Sequence, residues 1–353
     1  MKVLALGADK GGCFFYRIKS PVGAAAKLGV ETEITDDIEV EGSEDTRTGE
    51  VKITEVKTDA DLIIFQRPLK RGFTEVIKQA KRQGIATVVE LDDDFENVSR
   101  YNAAYEYMHQ KDSNYKWVQS ACAEADHVSV STPALTRYAP HGRVSVLRNY
   151  VPEAIFKVTP RYDRNIASPL TVGWSGTTAT HPNDLQETKG AVGQIAKQKG
   201  LSFRVAGNMR DVAPFLRLDK DTLLSETGWV PVEDFYEAVA DSMDIGIVPL
   251  EKGLFNEAKS ALKGLEMASL GIPFVASPTR EYERLEAYGV GKIARTPSDW
   301  RRFIGRWADN SDRLLQDARK YRDIMESEFT YEQHAHEWVT AWERAVDYRK
   351  SQL

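Results

Sequence analysis

Short apolar runs alternate with amphipathic stretches through the first half of the chain. The apolar runs predict five buried strands, at Val3–Leu6, Leu62–Phe65, Ile85–Leu91, Val128–Val130 and Val144–Leu147. The amphipathic stretches predict helices at Pro21–Leu28 and Phe73–Gln83, each followed by a glycine. Strands and helices that alternate in this way are typical of a parallel sheet covered on both faces. Residues 36–58 are polar and charged, and they predict a hairpin or a mobile excursion.

The alternation restarts after a proline-rich, charged stretch at residues 152–168, which predicts a linker. Beyond it the predicted strands are Leu170–Trp174, Phe203–Ala206, Ile245–Val248 and Phe274–Ala276. The predicted helices are His181–Lys199, Val232–Ala240 and Ala258–Leu270, followed by helical patterns at 298–326 and 331–349. We therefore predict an α/β chain of two doubly wound, Rossmann-like domains, at residues 1–155 and 156–330. Ligands of such domains bind in the crevice at the carboxyl ends of the strands.

The composition fits two folded domains and argues against several classes of protein. The chain has 353 residues, more than one hydrophobic core usually holds, and 42% of them are hydrophobic. No apolar run has the length of a membrane span, so no span is predicted. Two cysteines, Cys13 and Cys122, cannot build a disulfide scaffold or a cysteine metal site. This predicts a cytoplasmic protein.

The charge balance argues against a large nucleic-acid interface, because the net charge is −6. Residues 1–165 hold 23 basic and 25 acidic side chains, so this half of the chain has no overall attraction for DNA. A local basic patch is still available, formed by Lys70, Arg71, Lys78, Lys81 and Arg82.

The segment with the most specific chemistry follows the predicted strand Ile245–Val248. The spacing of Lys259, Lys263 and Glu266 places them on one face of the next predicted helix. Two lysines with Ser260 at a helix N-terminus suit a diphosphate, because backbone N–H groups and the helix dipole add to the ammonium charges. A carboxylate further along the helix can accept hydrogen bonds from a ribose diol. The alternative is an ordinary solvated helix with a Lys–Glu pair.

Residues 265–277 read Leu-Glu-Met-Ala-Ser-Leu-Gly-Ile-Pro-Phe-Val-Ala-Ser. This stretch resembles the donor signature of the large retaining GT-B glycosyltransferase family typified by sucrose and glycogen synthases. Glu266 matches the second of the family's two glutamates, which holds the nucleotide ribose, whereas Ala258 stands at the position of the first. The Lys-Ser-x-x-Lys-x-x-Glu variant resembles a phage and bacterial branch of the family. The resemblance implies two Rossmann-like domains that face a central cleft, and a last helix, within residues 331–353, that returns to the first domain.

Three further loops of the second domain correspond to donor-binding loops in this family. A strand runs into a Gly/Ser/Thr-rich loop whose predicted donor contacts are Trp174, Ser175, Gly176 and Thr177. His181 follows at the start of the next predicted helix, where it either contacts the donor as a catalytic residue or only begins the helix. Asn208 and Val230 lie in the loops that would hold the nucleotide base. For the glycine-rich loop, an ordinary strand–helix connection is the alternative.

The first predicted strand is followed by Gly11-Gly12-Cys13-Phe14-Phe15-Tyr16-Arg17. The glycine pair predicts a tight loop at the cleft, and the Tyr-Arg-x-x-x-Pro pattern resembles the same branch of the family. We predict donor contacts from Gly12 and Arg17 and an acceptor contact from Tyr16. The alternative is an aromatic packing cluster with a surface arginine.

An acidic cluster, Asp92-Asp93-Asp94, ends the predicted strand Ile85–Leu91. It is similar to the Asp-x-Asp metal motif of the other glycosyltransferase fold, GT-A, but that fold has a single domain and the two-domain pattern contradicts it. We therefore predict no metal site, and Asp92 or Asp93 as the catalytic group that binds or deprotonates an acceptor hydroxyl. Asp94 and Tyr105 are predicted acceptor contacts. A solvated acidic turn and aromatic core packing are the alternatives.

These interpretations together predict a hexosyltransferase that needs no cofactor or metal, and the resemblance implies that it retains the anomeric configuration. Its donor would be a nucleotide sugar, UDP-glucose or a related UDP-hexose, and its acceptor a hydroxyl group of a hydroxymethylated DNA base or of a phage or bacterial protein or glycan. A nucleotide-sugar epimerase of the same fold and a non-catalytic nucleotide-sugar-binding protein remain alternatives. The sequence leaves the oligomeric state open.

Overall fold

The computed structural model of the chain describes residues 1–353 except 46, 48, 111, 112, 165–168, 209–211, 220, 221 and 229. The described residues form two six-stranded parallel sheets, each flanked by helices, and one separate two-stranded hairpin. Two doubly wound domains in one chain confirm the predicted fold class. In this part of the chain every helix is too short or too polar to span a membrane.

The first sheet has the strand order β2-β1-β5-β6-β7-β8, with every neighbouring pair parallel. Its strands are β1 Lys2–Leu6, β2 Glu31–Thr35, β5 Leu62–Gln66, β6 Ala86–Leu91, β7 His127–Val130 and β8 Val144–Val146. The central strands β5 and β6 are buried along their whole length, as expected for a sheet covered on both faces. Residues 36–58 contain the antiparallel hairpin of β3 (Val40–Asp45) and β4 (Glu50–Val56), which agrees with the predicted hairpin.

The helices of the first domain begin with a continuous helical segment after β1. It consists of α1 (Gly12–Phe14), a π-helical stretch at Phe15–Lys19, and α2 (Ser20–Lys27). Such π-helical stretches often occur at functional sites. Two more helices complete the domain, α3 (Gly72–Arg82) and α4 (Asn114–Glu124).

The second sheet repeats the architecture with the order β11-β10-β9-β12-β13-β14. Its strands are β9 Thr171–Thr177, β10 Ser202–Asn208, β11 Leu223–Glu226, β12 Ile245–Val248, β13 Phe274–Ala276 and β14 Lys292–Ile293. Its helices are α5 Ala191–Lys199, α6 Val212–Leu216, α7 Val232–Ser242, α8 Leu254–Glu257, α9 Leu262–Ser269, α10 Arg280–Ala287, α11 Pro297–Ala308 and α12 Ser311–Glu328. The strand order reverses direction at β9 and β12, so a crevice opens at their carboxyl ends.

Three predicted helices have different boundaries in the structure. The predicted helix 181–199 is a 3-10 turn, Asp184–Thr188, followed by α5, because Lys189 and Gly190 have positive φ angles of 49° and 79°. The predicted helix 258–270 begins only at Leu262, so Lys259 and Ser260 lie in the turn before α9. The helical pattern at 298–326 is divided between α11 and α12, because the Asn310 side chain caps the second helix.

The chain crosses between the two domains twice, and the two crossings lie side by side. The first crossing includes 3-10 turns at Glu153–Lys157 and Arg161–Asp163, while part of the predicted linker, 165–168, is outside the described residues. The backbone N–H of Val151 donates to Phe329, and that of Tyr331 donates back to Val151. The last helix, α13 (Tyr331–Lys350), then packs on α2 of the first domain.

Candidate functional site

The carboxyl ends of the two sheets face each other across an interdomain cleft. Several side-chain hydrogen bonds cross it, so the two walls are in contact. Thr132 donates to the carbonyl of Ala258 at 2.8 Å, and Asn102 donates to the carbonyl of Thr180 at 2.9 Å. Asn149 donates to Ser260, and Tyr16 to Glu266. The predicted donor segment after β12 therefore lies directly opposite the loops after β1 and β6.

Lys259 and Asp93 form an ion pair between the walls, with 3.1 Å between Nζ and Oδ1. Burial raises the pKa of Asp93, but the charges of Lys259 and Arg67 outweigh it, so the pKa lies below the ordinary value. Burial lowers the pKa of Lys259, and Asp93 more than compensates. Both groups are therefore ionised at neutral pH. Asp92 lies beside them, 3.8 Å from the guanidinium of Arg67.

Lys263 occupies the first turn of α9 and is surrounded by residues of the glycine-rich loop. Its Nζ lies 5.1 Å from the ring centre of Trp174 and 3.4 Å from Nε2 of His181. Burial lowers the pKa of Lys263 to about 8. A partly desolvated ammonium beside a loop is suited to bind an anion, because electrostatic attraction is stronger where water is excluded.

Gly176 has no side chain where the loop passes Lys263, and this lets the backbone approach closely. A Cβ at Gly176 would lie 3.0 Å from Lys263 Nζ, and the residue has a φ of 142° that favours glycine. A Cβ at Gly207, on the neighbouring strand, would lie 2.1 Å from the carbonyl oxygen of Gly176. The backbones of the two strand ends therefore pack against each other and against Lys263 more closely than a side chain would allow.

Glu266 lies one turn after Lys263 and is 5% exposed. Its Oε1 accepts a hydrogen bond from the Tyr16 hydroxyl at 2.6 Å, and Tyr16 lies 2.7 Å from the hydroxyl of Tyr236. Because Tyr16 donates to the carboxylate, Tyr236 is the donor to Tyr16. Burial raises the pKa of Glu266 to about 7. Among the described residues, only Oε1 of this carboxylate has a hydrogen-bond partner.

The other predicted donor residues differ in how exposed their side chains are. Ser260 accepts the hydrogen bond from Asn149 at 2.8 Å, and Gly12 is exposed at the start of α1. Ser175 is buried in β9, whereas Thr177 ends the strand and is half-buried. Asn208, the last residue of β10, is exposed, and Val230 precedes α7, next to Trp229, which lies outside the described residues.

Arg17 does not reach the cleft, in contrast to its predicted contact with the donor. It is 2% exposed, and its guanidinium donates to Glu90 at 2.5 Å and 2.8 Å, to the carbonyl of Leu147, and to Asn149. Burial raises the pKa of Glu90 to about 7 in spite of this partner. The sequence pattern could not show this pair, because Glu90 lies on β6, 73 residues from Arg17 in the helical segment after β1. Arg17 thus supports Ser260 only indirectly, through Asn149.

We expect Arg17→Met to lower the free energy of unfolding by about 3–5 kcal/mol, because it leaves the Glu90 carboxylate buried without its cation. Chemical denaturation measures this loss. Nucleotide affinity of the folded fraction should stay within a few-fold of the unsubstituted protein. If Arg17→Met had normal stability but no longer bound nucleotide, the result would support a donor-binding role for Arg17.

Two predicted acceptor residues, Asp94 and Tyr105, make contacts within the first domain. Asp94 is 3% exposed, and its carboxylate accepts hydrogen bonds from Arg137, Tyr138 and Asn97. The Tyr105 ring stacks on His109 with 4.7 Å between ring centres. Both side chains are therefore used in packing. Tyr16, the third predicted acceptor contact, is 2% exposed and its hydroxyl is bonded to Glu266 and Tyr236, whereas Asp92 and Asp93 are half-buried at the cleft.

The sequence analysis missed several residues of the site. Tyr236 and Asn149 contact predicted residues from distant points of the chain, and no local pattern marks them. Asp184 binds His181 three residues earlier, through 2.6 Å between Oδ2 and Nδ1. The spacing appears in the sequence as His-x-x-Asp. This motif could have identified Asp184 before the structure was known.

Cys13, Asp92 and Asp93 form the group that could hold a metal ion in the described part of the chain. Their ligand atoms lie within 4.8 Å of one another. However, Lys259 and Arg67 already provide positive charge to the two carboxylates, and a divalent cation would be repelled by both. We expect a chelator to leave the rate of any sugar transfer unchanged. Loss of the rate with EDTA and its recovery with Mn²⁺ would contradict this expectation.

No protein-family model and no curated protein matches the sequence. Solved structures do match the fold. Anabaena HepE in complex with UDP and glucose has a TM-score of 0.65 at 13% identity, over 97% of this chain and 100% of its own. The catalytic domain of Arabidopsis thaliana starch synthase IV, bound to ADP and acarbose, has a TM-score of 0.65 at 10% identity, over 98% and 99% of the two chains.

TarM is a third similar structure, with a TM-score of 0.58 at 11% identity. The match covers 85% of this chain but only 63% of TarM, so the chain spans less than two thirds of that protein. The similarities extend over both sheets and the crossings between them. The chain has the GT-B fold, in which two Rossmann-like domains face a central cleft.

Proposed function

We propose that the protein transfers a hexose from a nucleotide sugar, UDP-glucose or a related UDP-hexose, to the hydroxyl group of an acceptor, with retention of anomeric configuration. One observation carries the proposal. Lys263 and Glu266 lie one turn apart at the start of α9, both face the interdomain cleft, and the bare backbone of Gly176 lies beside the lysine. This arrangement suits a nucleoside diphosphate, with cation and backbone N–H groups for the phosphates and a carboxylate for the ribose.

The similar structures support this class of donor. HepE was solved with UDP and glucose, and starch synthase IV with ADP and acarbose, so each holds a nucleoside diphosphate and a carbohydrate. In this chain Lys259, Ser260 and Lys263 would hold the diphosphate as negative charge develops on the leaving group. The two ammonium groups and the hydroxyl are in place before the reaction. They can therefore stabilise the charge of the leaving diphosphate without a rearrangement of water.

Asp93 provides the chemistry on the opposite wall. Lys259 holds its carboxylate ionised, so it can accept a hydrogen bond from an acceptor hydroxyl near the reacting sugar. A carboxylate with a lowered pKa is a weak base, so its main contribution would be to orient the acceptor rather than to remove its proton. The acceptor we propose is a hydroxymethylated DNA base, or a protein or glycan of a phage or bacterium.

A panel of UDP-, ADP- and GDP-sugars tests the proposal. We expect UDP-hexoses to raise the melting temperature, and release of UDP to increase when acceptors such as hydroxymethylated DNA are added. NMR of the product should show the anomeric configuration of the donor. Conversion of the sugar without any acceptor would identify an epimerase, and binding without turnover on any acceptor would identify a binding protein. If no nucleotide sugar changes the melting temperature, the proposed donor is wrong.

A further inference from the structure

Asp184 begins the 3-10 turn Asp184–Thr188 of the second domain and is 3% exposed. Its Oδ2 accepts a hydrogen bond from Nδ1 of His181 at 2.6 Å. Its Oδ1 accepts from the backbone N–H of Glu251 and from Nδ2 of Asn256, both at 2.8 Å. One buried carboxylate thereby joins the loop after β9 to the loop after β12, which leads to the diphosphate-binding turn.

These hydrogen bonds determine where His181 carries its proton. Burial, together with the charge of Lys263, lowers the pKa of His181 to about 4, so the ring is neutral at pH 7 and has one N–H. Burial raises the pKa of Asp184, but the hydrogen bonds from His181 and the Glu251 N–H and the charge of Lys263 together bring it below the ordinary value. Asp184 is therefore ionised and can only accept. The ring proton therefore lies on Nδ1, and Nε2 has a free lone pair. Since Lys263 Nζ is 3.4 Å from Nε2, the ammonium is the donor in that contact.

We propose that Asp184 is a positioning residue, which fixes the tautomer of His181 and through it directs the charged Lys263 ammonium toward a bound nucleoside diphosphate. This inference rests on the proposed function, because it concerns the same donor site. One N–H of the ammonium is held by His181, which leaves two for phosphate oxygens. Protonated His181 or the opposite tautomer would place an N–H against the ammonium and turn Lys263 away.

The charge of Asp184 also acts on Lys263 directly. The charged groups that face Lys263 are Asp184, Lys259 and Glu266, while His181 is neutral. Burial lowers the pKa of Lys263 to about 8, Lys259 lowers it as well, and the two carboxylates raise it. Lys263 thus loses its proton as the pH rises through about 8. Without the Asp184 charge this loss occurs at lower pH.

The test is the affinity for UDP between about pH 6 and pH 9, measured by calorimetry on the full chain. In the unsubstituted protein we expect affinity to fall as Lys263 loses its proton near pH 8. In Asp184→Asn the midpoint of this fall should move to lower pH by about one unit, the usual effect of a charge at this range. A residue that only supported the fold would weaken binding equally at every pH, so an unshifted midpoint overturns the inference.

Asn256→Ala is the matched control. It removes a hydrogen bond from the same carboxylate but keeps the charge of Asp184 and the contact with His181. We expect its midpoint to equal that of the unsubstituted protein. A midpoint that moves as far as in Asp184→Asn would attribute the shift to loop packing and overturn the inference.

A second measurement needs neither a variant of Asp184 nor a nucleotide. The protein has six histidines, and ¹⁵N NMR of the labelled rings, with His181→Gln for assignment, reports the tautomer of His181. We expect the neutral Nδ1–H form at pH 7, and the Nε2–H form or the cation would overturn the inference. If the tautomer is as expected but UDP does not bind at any pH, the proposed function fails instead.

Discussion

Substitution of Lys263 by methionine is expected to lower kcat for sugar transfer on the order of 10²–10³-fold, the usual loss when one fixed group that stabilises developing negative charge is removed. Methionine has nearly the length of the lysine side chain and fills the space beside Trp174 that Lys263 Nζ approaches to 5.1 Å, so the fold should be retained. The leaving diphosphate would lose its buried cation at the moment when its charge increases. Steady-state kinetics with UDP-glucose and the best acceptor of the panel measure the effect.

Lys252→Met is the control for this substitution. Lys252 is an exposed lysine of the same β12–α9 connection, and it lies outside the cluster around Trp174. We expect its kinetics to match those of the unsubstituted protein. If both lysine variants lost activity equally, the effect would come from the general charge of the loop. If Lys263→Met kept full activity, the phosphate assignment would be wrong.

Glu266→Gln is expected to weaken UDP binding about 10- to 100-fold, because hydrogen bonds to a charged group contribute about 1.5–3 kcal/mol each. Glutamine can still accept the hydrogen bond from Tyr16, so the domain contact is retained. Glu257→Gln, an exposed glutamate of the preceding helix, serves as the control and should bind UDP normally.

A double-mutant cycle with 2′-deoxy-UDP isolates the ribose contact. The unsubstituted protein should bind this analogue more weakly than UDP, because the carboxylate of Glu266 loses a hydroxyl donor. Glu266→Gln should discriminate between the two nucleotides much less. Equal discrimination in both proteins would show that Glu266 acts elsewhere, for example only as the partner of Tyr16.

The pattern of apolar runs was sufficient to predict the two-sheet architecture, because buried parallel strands are almost continuous apolar segments. Helix boundaries near the cleft were not predictable in the same way. The helical pattern continues through Ala258 to Ala261, yet α9 starts at Leu262. Thr132 binds the carbonyl of Ala258 and Asn149 binds Ser260, so contacts with the opposite domain hold this turn outside the helix.

The residues of the candidate site show the same difference between features set by local sequence and features set by distant contacts. Lys263 and Glu266 are neighbours on one helix, and residue spacing was enough to group them. Arg17 was assigned to the donor from its Tyr-Arg-x-x-x-Pro pattern after the first strand, whereas its actual partner, Glu90, is 73 residues away. A buried ion pair between a helical segment and a distant strand leaves no local signature, so the sequence predicted a donor contact where the structure has an internal ion pair.

The most direct test of the account is a crystal structure of the protein with UDP bound. We expect the diphosphate within hydrogen-bonding distance of Lys263 Nζ and the backbone at Gly176, with the ribose hydroxyls on Glu266. A nucleotide that occupies the cleft in this orientation would support the proposed donor site. UDP bound elsewhere, or in the cleft with its phosphates away from Lys263, would contradict it.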